Sequence, residues 1–178
     1  YPQIQLELNA CDLIIDLLEQ STDVAIRIGE LSDSSLHARS LGCSPLNLLA
    51  SPAYLKRAGR PTKVSDLEKH TLLGFSPTPS MPPWQLQGPR GASASVEAGQ
   101  RLRVDATPAL YAAALAGMGI SLFTALTVQE DLRAGRLIRV LPAWHAGQRR
   151  YFALYPHARA LAPKVRALVE HLAAHNAA

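Results

Sequence analysis

Six histidines, two cysteines and 14 acidic side chains are the groups with which this 178-residue sequence would do acid–base, nucleophilic or metal chemistry. Their spacing argues against it. His37, His70, His145 and His157 stand alone, and His171 and His175, four apart, fall at the fraying end of the last helix, so no metal set forms. A G-x-S-x-G elbow, a P-loop and a dinucleotide fingerprint are all missing. Cys11 and Cys43 lack CxxC or metal-like spacing and read as free, mostly buried thiols of a reducing compartment. No catalytic residue, metal or cofactor is expected. The sequence reads as one that binds without chemistry.

The stretch with most to offer a ligand is Asp105–Thr124, DATPALYAAALAGMGISLFT. Thr107 has the side chain of an N-cap, and Pro108 suits the first helical position because its φ is fixed and it has no N–H to leave unpaired. Ala109 to Leu115 are strong helix formers; Gly117 and Gly119 stop the helix and turn the backbone into the apolar strand Ile120–Phe123. A helix start presents unpaired N–H groups and about half a positive charge, which suits an anion.

With 48% hydrophobic and 6% aromatic residues, the sequence has an ordinary globular composition, long enough for one ample core or two small lobes. Its formal net charge of +4 is scattered; Arg101/Arg103 and Arg149/Arg150 cluster, but without the interleaved aromatics of a nucleic-acid platform. Apolar runs are too short to span a bilayer, so no membrane partner is expected.

The elements follow from periodicity and breakers. Alternation over Gln3–Leu8 predicts a strand, i,i+4 apolar pairs predict a helix over Asp12–Gln20, and Val24–Ile28 predicts a second strand. Together they form a βαβ unit with a parallel sheet, whose ligand side lies at the strand ends, Asn9–Asp12 and Ile28–Gly29. Two strands, Leu36–Gly42 and Leu46–Ala50, meet around Pro45; a helix then runs from Ser51-Pro52 to Gly59, a short helix capped by Ser65 covers Val64–His70, and Thr71–Phe75 is a strand. Five prolines between Ser76 and Pro89 mark a connection, and Trp84–Asp105 reads as short strands with Trp84 in a core. Beyond the central helix come a helix around Val128–Ala134, the strand Leu137–Leu141, a breaker-rich loop over Pro142–Gln148, the strand Tyr151–Tyr155 and a helix over about Ala160–Ala174. The two breaker-rich stretches predict an inner lobe, 76–148, inserted into an outer lobe, 1–75 and 149–178. Two crossings form a hinge, and the cleft between the lobes is the expected small-molecule site.

LELNACDLIIDLLEQSTDVAIRIGELSDSSLHARSLG, LLASPAYLKRAGRP, AAALAGMGISL, LRAGRLIRVLP and LYPHARALAPKVRALVEHL, in that order, resemble the effector-binding domain of LysR-type transcriptional regulators. The pair DVAIRIG and SPAYLKRAGRP is the most specific part. The resemblance implies an α/β, periplasmic-binding-protein-like (type 2) fold of two lobes, a small effector in the cleft, and assembly into homodimers or homotetramers in the cytoplasm. Carried over residue by residue, it implies effector contacts from Asn9, Ala10, Asp12, Ile28, Gly29, Ser76, Ala106, Thr107, Pro108 and Phe123.

Departures narrow that expectation. Ile28 stands where members that grip carboxylates can have a basic residue, Thr124 where many have proline, and Ala10 offers no side-chain hydrogen bond. The comparison also implies that the fold's first strand and helix, and the winged helix-turn-helix that contacts DNA, lie outside these residues. A periplasmic solute-binding protein of the same fold is the alternative; it would be monomeric and carry a signal peptide. An enzyme would show convergent titratable groups in the cleft.

Overall fold

The computed structural model describes residues 3–10, 22–31, 36–76, 78, 80–98, 101–157 and 162–176. In chain order the elements are β1 (Ala25–Ile28), β2 (His37–Ala50), α1 (Pro52–Ala58), β3 (Leu73–Phe75), β4 (Trp84–Gln87), β5 (Ser93–Val96), β6 (Leu102–Val104), α2 (Thr107–Leu115), β7 (Ser121–Thr124), α3 (Gln129–Arg133), β8 (Ile138–Arg139), β9 (His145–Tyr155) and α4 (Pro163–Asn176). Short 3-10 turns cover Val64–Lys69 and Pro89–Gly91. Hydrogen bonding runs in the order β5-β4-β9-β2-β7, with β1 on β9 and β8 on β2, while β3 and β6 pair separately. The chain forms two compact units, Tyr1–Cys43 with Arg149–Ala178, and Ser44–Gln148.

In the first unit β1 pairs antiparallel with β9, Ala25 opposite Leu154 and Ile28 opposite Tyr151. Gly29 continues the ladder by donating its N–H to the Arg150 carbonyl at 2.9 Å. The core is Leu41, Tyr151, Ala153, Val165 and Val169. Val165 and Val169 are one turn apart on α4 and are the side chains that the helix buries in this core.

In the second unit the apolar end of β2 is covered on both faces, which is why it reads as a continuous hydrophobic run. Leu48 packs with Tyr54, Leu67, Trp84, Leu86 and Ile120, whereas Leu49 packs with Leu73, Leu110, Ala114, Phe123 and Leu137. Successive strand residues point to opposite faces, so one strand anchors two cores. β2 pairs antiparallel with β7 and β8, and β4 with β5. The pair β3 and β6 is parallel, Leu73 opposite Leu102 and Phe75 opposite Val104.

Several expectations are corrected. Residues 4–10 form no strand: Leu6 and Leu8 are 66% and 81% exposed, and alternation alone makes no strand without a neighbour to pair with. The expected helix Asp12–Gln20 lies outside the described residues. β1, expected in a parallel sheet, runs antiparallel to β9. The strands on either side of Pro45 are one strand. Ser65 is not the cap of its short helix; the Asp66 carboxylate reaches back to the N–H groups of Thr62 and Lys63 at 2.9 and 3.1 Å, and these bonds hold its pKa below the ordinary value. Residues 44–75, assigned by sequence to the outer lobe, belong to the second unit. Leu48 and Leu49 supply both of its cores, and β3 pairs with β6.

Gly119 is where α2's chain returns against β3. A Cβ there would lie 2.4 Å from the Thr71 carbonyl oxygen, which accepts the Ile120 N–H at 2.9 Å. Gly119→Ala is expected to destabilise the domain by about 1–3 kcal/mol in urea unfolding, because backbone rather than a flexible side chain must yield.

Candidate functional site

The parallel pair β3 and β6 positions the polar loops. Beyond their carboxyl ends come Ser76 and Asp105–Pro108, and the Ser76 N–H donates to the Val104 carbonyl at 2.8 Å. The strand pairing therefore brings Ser76 and Ala106–Pro108, two separate parts of the expected set, to one end of the same ladder. Ser76 is buried, with its hydroxyl 2.8 Å from the Thr78 carbonyl and 2.6 Å from that of Ser80. One hydroxyl hydrogen serves both carbonyls, so the Ser76 side chain fixes its own loop.

Thr107 was expected to cap α2 but is its first helical residue; Ala106, with φ −123° and ψ 120°, is the N-cap and gives no side-chain bond. The helix begins one residue earlier because the Ala106 carbonyl accepts from both Ala109 and Leu110, at 3.1 and 3.2 Å. That arrangement leaves little for an anion. Pro108 has no N–H, those of Ala109 and Leu110 are bonded, and the exposed Asp105 stands one residue before the cap. Thr107, half-buried, is the polar side chain at this end of α2.

A cluster around one buried carboxylate holds the helix in place. The Tyr111 hydroxyl donates to Asp131 Oδ2 at 2.7 Å, and Arg136 Nε donates to Oδ1 at 2.6 Å. The Asp131 side chain is 3% exposed. Burial by itself would raise its pKa, but the hydrogen bonds from Tyr111 and Arg136, with the guanidinium charge, outweigh that and hold it below the ordinary carboxylate range. The same bond pushes the Tyr111 hydroxyl up. Sequence reasoning missed this cluster, since its members come from two helices and a turn.

The other expected contacts are distributed. Phe123 is 3% exposed, edge-on to Tyr111 with centroids 6.3 Å apart, so it supports α2 from the core. Ile28 is 55% exposed and Gly29 has φ +114°, both in the first unit. Asn9 and Ala10 are exposed, and Asp12 lies outside the described residues.

The described histidines have separate surroundings apart from one stacked pair. His37 stacks on His157 at 3.9 Å, His145 Nδ1 accepts the Gly147 N–H, and His70 Nδ1 lies 3.1 Å from the Tyr54 hydroxyl. Burial lowers the His70 pKa. Among the described residues no group of three or more His, Cys, Asp or Glu is placed to hold a metal, and no helix is long and apolar enough to cross a membrane.

Two α/β units, the second with its polar loops at the ends of a parallel strand pair, define a periplasmic-binding-protein-like (type 2) ligand-binding domain. The family model of the LysR substrate binding domain matches residues 1–177, and the chain belongs to that family. It is 36% identical over 177 residues to the HTH-type transcriptional regulator PtxR of Pseudomonas aeruginosa, covering 98% of this chain and 56% of PtxR. Its fold matches the regulatory domain of CrgA, a LysR-type transcriptional regulator from Neisseria meningitidis, with TM-score 0.86 and 30% identity over 98% of this chain and 85% of that one. The full-length virulence activator AphB of Vibrio cholerae matches with TM-score 0.80 and 31% identity, over 99% of this chain and 59% of that one. The chain spans about half the length of the curated relatives it matches. It is an effector-binding domain of the LysR type, and the periplasmic alternative is disfavoured.

Asp131 yields two expected outcomes. Asp131→Ala leaves the Tyr111 hydroxyl without its acceptor and should cost about 1–3 kcal/mol in chemical denaturation. Because the folded pKa lies below the unfolded one, the stabilisation is fully present above the unfolded value, about 3.9, and is lost as pH falls through the folded value. Acid titration of Asp131→Asn should show a correspondingly shallower loss of stability below about pH 4.

Proposed function

We propose that the domain senses a small uncharged polar effector at the start of α2 and passes the change to a DNA-binding domain outside these residues. The observation that carries this is the placing of Ser76 and Ala106–Pro108 at one end of the β3–β6 pair. An uncharged ligand is favoured over a carboxylate by three features: bonded N–H groups at Ala109 and Leu110, the Asp105 carboxylate, and Ile28 in place of a base. Thr107 supplies the hydroxyl that binds an amide, hydroxyl or carbonyl of the effector, and Pro108 packs beside it. Contacts from Asn9, Ala10, Asp12, Ile28, Gly29 and Phe123 are part of the same proposal and follow from the family resemblance.

The mechanism is a population shift: effector favours one conformation, and a homodimer or homotetramer transmits it to DNA. That the relatives carry the names of transcriptional regulators supports binding rather than an enzyme. The cytoplasm is the compartment in which such a regulator meets DNA.

A thermal-shift screen comparing small amides, polyols and neutral heterocycles with matched carboxylates tests the reading. A neutral compound at about a hundred times its Kd should add about 2.7 kcal/mol of stability, and Thr107→Val should abolish the gain. Stabilisation by carboxylates alone, or a gain that survives Thr107→Val, would overturn it. In the full-length regulator the same compound should change operator affinity.

A further inference from the structure

The Tyr54 hydroxyl joins three parts of the Ser44–Gln148 unit. Tyr54 stands in α1, 3% exposed, with its own N–H accepted by the Ser51 hydroxyl. Its phenol accepts the Thr71 N–H at 2.8 Å and lies 3.1 Å from His70 Nδ1. Thr71 in turn offers its carbonyl to the Ile120 N–H at 2.9 Å. Helix α1, the segment that enters β3 and the chain that returns from α2 therefore meet at one phenol.

A buried hydroxyl hydrogen needs an acceptor, and among the described residues His70 Nδ1 is the one in reach. That bond fixes His70 as the neutral tautomer with its proton on Nε2. A second proton can go only to Nδ1, and the ring would then donate where it has to accept. The Tyr54 oxygen, already bonded to the Thr71 N–H, could take that new donor on its other lone pair, but its own hydrogen would be left in the core without a partner. His70 is half-buried, so water can deliver the proton.

Charges of both signs surround the ring. Asp66, Glu68 and Lys69 stand on the 3-10 turn that leads to it, and the Arg57 guanidinium of α1 lies over the Tyr54 ring, 5.6 Å from its centroid. Glu97 and Arg101, from the segment after β5, line the same concavity as His70, and Gly99 and Gln100 between them carry no titratable group. Burial disfavours the charged ring and outweighs the attraction of Asp66, so the His70 pKa is lowered. The stabilisation is therefore fully present above the unfolded value, about 6.5, and is lost as pH falls through the folded value.

We propose that His70 is a pH-sensitive latch on this junction: the neutral ring holds the Tyr54 hydroxyl, and with it the approach of Thr71 and Ile120, and the protonated ring releases them in mildly acidic solution. The latch acts through the fold and is independent of the effector reading at Thr107.

The test is NMR of the isotopically labelled chain between about pH 8 and about pH 5, on either side of the ordinary histidine range. At the upper end the ring nitrogen shifts should show Nε2 protonated and Nδ1 bare. The Thr71 amide should move with the same midpoint as the ring. Protection of the Thr71 and Ile120 amides, corrected for the pH dependence of the exchange chemistry, should fall by about fivefold or more below that midpoint. His70→Asn, whose side-chain carbonyl can accept where Nδ1 does and does not titrate, should remove the pH dependence at both amides, and Tyr54→Phe, with no hydroxyl to hold, should be equally flat. A ring protonated on Nδ1 at the upper end, a Thr71 amide that ignores the ring's titration, or an unchanged pH dependence in His70→Asn would overturn the proposal while leaving the effector reading at Thr107 untouched.

Discussion

The arrangement of the second unit depends on one carboxylate sealed from solvent. Asp131 sits in a short helix of five residues that would not persist alone, and it ties that helix to α2 through Tyr111 and to the following turn through Arg136. A buried charge is tolerated only when it is fully bonded. Here both oxygens are taken, while the guanidinium stays half in water, so the cost of desolvation falls on one partner only. Through Tyr111 the same bond orients α2, and Phe123 braces the ring from the side.

From that anchor the ligand-facing loops follow by strand geometry. β3 and β6 run parallel and short, and what emerges from them does so at the same end. Gly119 lets the chain after α2 come close enough for Ile120 to donate its N–H to the Thr71 carbonyl and to accept the Leu73 N–H on its own carbonyl. The helix is thus held at its middle by a side-chain bond and just past its end by main chain. Arg57 adds a third tie, donating to the Gly117 carbonyl at 2.6 Å where the helix dipole is negative.

Local signals in the sequence translated well where chemistry is local. Ser51-Pro52 opens a helix whose Tyr54 N–H is accepted by the Ser51 hydroxyl, and the apolar run that ends at Ala50 is extended, as the buried end of β2. Legibility failed where the outcome depends on partners distant in sequence. The alternation at Ile4–Leu8 is indistinguishable from that of a true strand until its neighbours are known. Five prolines after Ser76 look like a crossing between lobes, yet the break in packing comes at Cys43, inside a continuous strand without a breaker at that residue. At the candidate site the helix start was legible, but its cap was displaced by one residue, and Ser76 proved to be occupied with its own loop. The Asp131 cluster left no trace, since no spacing rule links Tyr111, Asp131 and Arg136.

Both tryptophans of the chain lie in the Ser44–Gln148 unit. Trp84 is 7% exposed within the core, and Trp144 lies so closely over Gly88 that a Cβ there would come within 2.8 Å of its ring. Intrinsic tryptophan emission is therefore a reporter of that unit alone, insensitive by construction to melting of α4 from β9. A transition seen in helix ellipticity but silent in emission belongs to the other unit, which gives the two halves separate optical signatures without any label.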